Sequence, residues 1–236
     1  MTVTTEAAPQ PRDPERPARL LRAEHDALLP VLREAPEQAL DRPTACPGWS
    51  VRDVLAHCSA ALSRTVTGQL HAFTPELNEI DVAERRGWPL PRLLAELADG
   101  YLTGGTAIGA AGGRLDAIAL GEWVHGGDVR EALGLPGAYA SAGFADAAAL
   151  LAAYTRRCQV PLTEVTLTGS AAPDAAPPGA ALAPGPALTL GARQPGRPAA
   201  RLRTSPATLI RLTAGRPAGP ADYQLAGLTT AELVVF

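Results

Sequence analysis

The chain has 236 residues and a formal charge of −3, with 46% hydrophobic but only 4% aromatic residues. It suits one large domain or two small ones with a core of Ala, Leu and Val, a composition that favours packed helices over an aromatic-rich sheet. All 21 basic residues are arginine, which excludes lysine Schiff bases and P-loop phosphate binding, and the mild negative charge gives no pull toward nucleic acid or anionic membrane. No apolar run approaches the roughly 18 residues needed to span a bilayer. Three cysteines (Cys46, Cys58, Cys158) lack paired metal spacing and read as small hydrophobes in a reducing, cytoplasmic protein.

Residues 1–16 are polar and Pro-rich and read as a disordered leader. From Pro17, the positions Leu20, Leu21, His25, Leu28, Leu29 and Leu32 form one apolar stripe, with Arg22, Glu24 and Arg33 mostly off it. A Pro47-Gly48 turn then leads to Ser50, which with Asp53 forms a capping box and predicts a helix to about Thr67. Gln69 to Asn78 reads as a loop holding an exposed His71, and a helix follows from about Glu76 to Arg86. The next, Pro91 to Ala107, points Leu93, Leu94, Leu97 and Leu102 at the core, with Gly104-Gly105 punctuating its end. Leu115 to Leu133 is closed by Gly134, and Ser141 is the expected cap of an Ala-rich helix over 142–157.

Character changes at Val160. Leu162 to Thr168 alternates with period two, as a half-buried strand does, and Ala171 to Pro186 reads as a surface loop. Ala187 to Leu190 and Ala199 to Arg203 read as short strands, and Ser205-Pro206 opens a helix to Gly215. Tyr223 to Phe236 is a last strand or short helix. The fold class is therefore α+β: a helical bundle over 17–158 and a small α+β domain over 159–236.

Two of the four histidines lie beside acidic residues on predicted helices. Glu122 and His125 share a face at i, i+3, and His57 from a second helix completes a three-ligand metal set. Asp53, one turn before His57, either caps its helix or orients the imidazole. Asp128 continues the His125 face as a fourth ligand, a partner of a ligand, or a bond to an arginine such as Arg52. Trp49 and Trp123 flank the histidine motifs and read as core or pocket wall.

The segments Cys46-Pro47-Gly48-Trp49-Ser50-Val51-Arg52-Asp53-Val54-Leu55-Ala56-His57 and Val124-His125-Gly126-Gly127-Asp128-Val129-Arg130 resemble the actinobacterial maleylpyruvate isomerase-like family. That family sits within the DinB-like four-helix superfamily of metal-dependent thiol enzymes. The stretch from Ser205 to Arg216 resembles the sterol-carrier-like domain such proteins append. The resemblance implies a divalent metal, most often zinc, held by His57, His125 and an acidic residue, with mycothiol as cosubstrate. A metal with an open position holds a thiol as thiolate near neutral pH. The resemblance also implies an active-site role for Arg216; Asp128 is a further catalytic candidate, and Trp49 and Arg52 are candidate cofactor contacts. One departure bears on the metal: the family's acidic ligand stands four residues before the second histidine, where this chain has Gly121, and Glu122 stands three before.

The function implied is a metal-assisted, thiol-dependent transferase or isomerase acting on a small electrophile. Two alternatives stay open: a metal- and thiol-independent catalyst using Glu122 and the histidines for proton transfer, and a protein that only binds a small ligand. Substrate and oligomeric state are not legible.

Overall fold

Helices fill the chain from Arg16 to Arg157 and a four-stranded sheet follows, the α+β order expected from the sequence. The computed structural model describes residues 11–70, 72–169 and 187–236. His71 and the Ala171–Pro186 segment lie outside the described residues, as do residues 1–10 of the expected leader. The leader's last residues are not free. Arg12 grips Asp116 with two hydrogen bonds, Nε to Oδ2 at 3.0 Å and Nη2 to Oδ1 at 2.8 Å.

The bundle consists of α1 (Arg16–Glu34), α2 (Val51–Thr67), α3 (Pro75–Arg85), α4 (Leu90–Ala110), α5 (Asp116–Ala132) and α6 (Phe144–Arg157). On α1 the stripe Leu20, Leu21, Leu28, Leu29 and Leu32 is buried as its spacing requires. Glu24 departs from the expectation: it is fully buried and bound by Arg130 of α5, Nη2 to Oε1 at 2.5 Å. Gly126 of α5 makes this pair fit, since a Cβ there would overlap the Glu24 carboxylate.

Helix α2 begins where its capping box places it. Ser50 accepts from the Asp53 N–H and Asp53 accepts from the Ser50 N–H. Helix α4 runs on through Gly104 and Gly105 instead of stopping, because the absent side chains let α1 approach: a Cβ on Gly105 would collide with the Ala18 backbone. Leu102 points outward at 45% exposure, against expectation, while Leu93, Leu94 and Leu97 are in the core. Helix α6 starts later than expected. Its N-cap is Gly143 at φ +88°, and Ser141 contributes only its carbonyl, which accepts from the Phe144 N–H.

Strands β1 (Thr163–Leu167), β2 (Ala187–Leu190), β3 (Ala200–Thr204) and β4 (Tyr223–Ala226) form one sheet in the order β2-β1-β3-β4. The central β1–β3 pair is parallel and both outer pairs are antiparallel. Alternate residues Thr163, Val165 and Leu167 of β1, and Ala200, Leu202 and Thr204 of β3, are buried. Helix α7 (Pro206–Thr213) is capped by Ser205, which accepts from the Thr208 N–H. After β4, a short 3-10 turn (Thr230–Leu233) returns the chain beside α7, where the Val235 N–H donates to the Thr213 carbonyl. This unit packs on the bundle through β2 against α6 and through Arg216, which enters the bundle from the turn after α7.

Candidate active site

A cavity of about 410 Å³ opens where α2, α3, α5 and the C-terminal tail meet. Helix α2 supplies His57, α5 supplies Gly121, Glu122 and His125, and the turn before α2 supplies Cys46 and Trp49. Phe73, Tyr154 and Phe236 add aromatic wall, and Arg216 reaches in from the sheet unit. The two histidines predicted from opposite parts of the sequence thus face each other, with ring centroids 5.2 Å apart at an interplanar angle of 76°. Trp49 covers both imidazoles, at 4.9 Å from His57 and 6.0 Å from His125, and its indole N–H is anchored on Glu79.

Asp128 organises one side of the site. It is completely buried, and four donor groups converge on its two oxygens. Arg216 donates through Nε to Oδ1 at 2.9 Å and through Nη2 to Oδ2 at 2.7 Å, and the Tyr139 hydroxyl donates to Oδ1 at 2.7 Å. His125 Nδ1 lies 3.0 Å from Oδ2. Burial alone would raise the Asp128 pKa, but the bonds from His125 and Arg216 outweigh it and hold the carboxyl at about 2. A carboxylate at Nδ1 fixes that nitrogen as the proton-bearing one and leaves Nε2 of His125 as a lone-pair acceptor. Tyr139 lies flat on α5 because residue 127 is glycine, where a Cβ would enter its ring.

His57 is the opposite case. Burial, reinforced by His125, pushes its pKa down to about 3, so it is neutral at physiological pH. Among the described residues its Nδ1 has no hydrogen-bond partner, and neither do Asn78 Oδ1 and Glu122 Oε2 in the same wall. Buried polar atoms are ordinarily paired, so three unpaired ones around one cavity mark where a ligand's polar atoms belong.

The remaining sequence-predicted residues divide. Arg52 is not in the cavity: it donates to the Trp88 carbonyl and approaches Glu37, so Asp128 takes its arginine from Arg216 instead. Asp53 is spent on the helix cap and on Arg86 and does not touch His57. Arg216 lies in the cavity wall, but Asp128 occupies the paired Nε and Nη2 donors that a substrate carboxylate would need. Cys46, expected from the sequence to be a small buried hydrophobe, is instead half-buried in the wall beside Arg216. Its thiol is pushed up by burial, against the pull of the guanidinium.

As a metal centre, the pocket presents two of the three implied donors. His57 is neutral and His125 is oriented through its far nitrogen, as a ligating histidine is. Glu122 is the misfit. At 2% exposure it accepts from the Cys58 thiol, and burial together with Glu24 pushes its carboxyl well up toward the neutral acid. The donors that do converge among the described residues, all within 4.8 Å, are Cys46, His125 and Asp128. Asp128 already serves Arg216 with both oxygens, so a cation there meets a fixed guanidinium. The residues present therefore do not fit the three-ligand centre.

Residues 21–133, covering the first four bundle helices and α5, match the family model of the mycothiol maleylpyruvate isomerase N-terminal domain. That stretch of the bundle is therefore similar to the family's N-terminal domain. Two solved structures, of the mycothiol-dependent maleylpyruvate isomerase and of a histidine-to-alanine variant of it, are similar over 92% of this chain and 95% of theirs. Each has a TM-score of 0.55, at 14% identity for the former and 15% for the variant. Likeness at that identity establishes a shared fold, and the match extends through the sheet unit as well as the bundle. No curated protein matches the chain. Among the described residues, no helix is long and apolar enough to cross a membrane.

Within this bundle, the site residues that the sequence did not reveal are Tyr139, Asn78, Phe73, Tyr154 and Phe236. Each comes from an element with no motif of its own. Only the Gly126-Gly127 pair carried a signal, two adjacent helical glycines that make room for Glu24 and Tyr139.

Proposed function

We propose that this protein is a mycothiol-dependent isomerase or transferase that acts on a small electrophile in the His57–His125 cavity. The observation that carries the reading is the His125–Asp128 dyad, with Asp128 clamped by Arg216 and Tyr139, facing a neutral His57 across an apolar pocket.

The thiol S–H gives its proton to Nε2 of His125, and the resulting imidazolium is stabilised by Asp128, which stays ionised. The thiolate adds to the electrophilic carbon of an activated double bond, and the electron pair moves to the conjugated oxygen. His57, uncharged and with Nδ1 unpaired, hydrogen-bonds that oxygen. Rotation about the former double bond, now single, followed by loss of the thiolate, gives the isomer, and the thiolate takes its proton back from His125 to regenerate the thiol. Return of the His125 proton to carbon instead gives the thioether conjugate. Trp49, Phe73 and Phe236 exclude water from the thiolate. The two similar structures are of a mycothiol-dependent isomerase, which supports the choice of thiol, and the family-model match of the bundle supports the reaction class.

A second reading is proton transfer without thiol, which the same dyad supports and for which Glu122, pushed toward its neutral form, is a second acid. Incubating the protein with maleylpyruvate and other small activated olefins, with and without mycothiol, separates the two. Turnover that requires mycothiol is the expected result. Equal turnover without it favours proton transfer, and binding without turnover leaves a ligand-binding protein.

A further inference from the structure

We propose that residue 121 decides whether this pocket holds a metal, and that with glycine there the two histidines do not retain a divalent ion. Positions 121 and 125 are one turn apart on α5, and both line the cavity. Beyond Gly121 there is open space: a Cβ there meets no atom within 4 Å. A carboxylate at 121 would therefore project from the same helix face as His125 toward His57, completing a two-histidine, one-carboxylate donor set.

Glu122 does not substitute for it. Glu122, at i−3 from His125, also borders the cavity, but its carboxyl is engaged by the Cys58 thiol and lies toward the Glu24 carboxyl. Turning it outward would break the Cys58 bond and leave that thiol's partner site empty. Without an anionic third ligand, two neutral imidazoles hold a divalent ion only weakly. The Cys46–His125–Asp128 group offers no way round, because the Arg216 guanidinium already fills the cation's place at Asp128.

The test is metal content, read independently of turnover, so its outcome is separable from the thiol-dependent reading. Full-length protein is equilibrated with zinc, dialysed against zinc-free buffer and assayed by elemental analysis. Wild type is expected to retain far less than one zinc per chain. Gly121→Glu is expected to retain about one and to bind zinc tighter by at least the roughly 10–100-fold that a single supporting carboxylate confers on a metal site. Adding His57→Ala to that variant should abolish the gain. Gly121→Asp serves as the second variant if the glutamate is not accommodated. Near-stoichiometric zinc in wild type that disappears in Glu122→Gln overturns the proposal. So does a folded Gly121→Glu or Gly121→Asp protein that binds no more zinc than wild type.

Discussion

Arg216 lays its guanidinium along Asp128, with Nε 2.9 Å from one carboxylate oxygen and Nη2 2.7 Å from the other, joining the C-terminal sheet unit to helix α5 across 88 residues of sequence. The clamp keeps a buried carboxylate ionised beside His125, so the orientation of one imidazole depends on both parts of the chain. A sheet unit that packed elsewhere would leave Asp128 buried with its charge uncompensated, a state that costs about 3–5 kcal/mol when a buried pair is broken.

Asp128→Asn keeps the size of the side chain but removes the charge that favours His125 as an acceptor at Nε2. Thiol-dependent kcat is expected to fall by about 10²–10⁴-fold, the usual worth of a general base, with KM nearly unchanged. Steady-state kinetics of the folded variant checks this, and a loss confined to KM would assign Asp128 to binding instead.

The same carboxyl shapes acid stability. Its pKa is about 2 in the folded chain against an ordinary 3.8. The stabilisation is therefore fully present above about pH 4 and is lost as pH falls from there toward about pH 2. It amounts to on the order of 2 kcal/mol. Unfolding free energies from urea titrations should fall across that window by about this amount more in wild type than in Asp128→Asn. Parallel curves would mean that Asp128 is not held ionised.

The buried Glu24–Arg130 pair makes a separate stability prediction. Arg130→Met leaves an unpaired carboxyl in the core and should cost about 3–5 kcal/mol, whereas the double variant with Glu24→Met should recover much of that loss. Denaturant titration of the two single variants and the double gives the coupling directly.

Gly127→Ala puts a methyl group into the Tyr139 ring. Overpacking of this kind costs about 1–3 kcal/mol. Because Tyr139 is one of the donors to Asp128, the variant should lose turnover along with melting temperature. Tyr139→Phe, which removes only the hydroxyl, should lose about 1–2 kcal/mol without the clash.

Much of this site was legible in the sequence because its histidines sit inside local signals. The capping box fixes the phase of α2 and hence the direction of His57, and the motif around His125 fixes that of Asp128. The partners were not legible for the opposite reason. Apolar periodicity assigns charged residues to solvent, so Glu24 read as exposed although Arg130, more than a hundred residues away, pays for its burial. Leu102 read as core by the same rule, yet the close approach of α1 and α2 at Gly100, Gly104 and Gly105 turned it outward. Arg52 and Arg216 are chemically equivalent candidates for Asp128. Only the docking of the sheet unit on the bundle selects Arg216.

The most direct test of thiol activation by the His125–Asp128 dyad is the ultraviolet thiolate absorbance of mycothiol titrated with pH in the presence of the protein. Bound to wild type, the thiol is expected to ionise below the free-thiol value of about 8.5. Bound to a folded His125→Gln variant, it should return to the free value. Bound thiol that titrates identically in the two proteins would contradict the account.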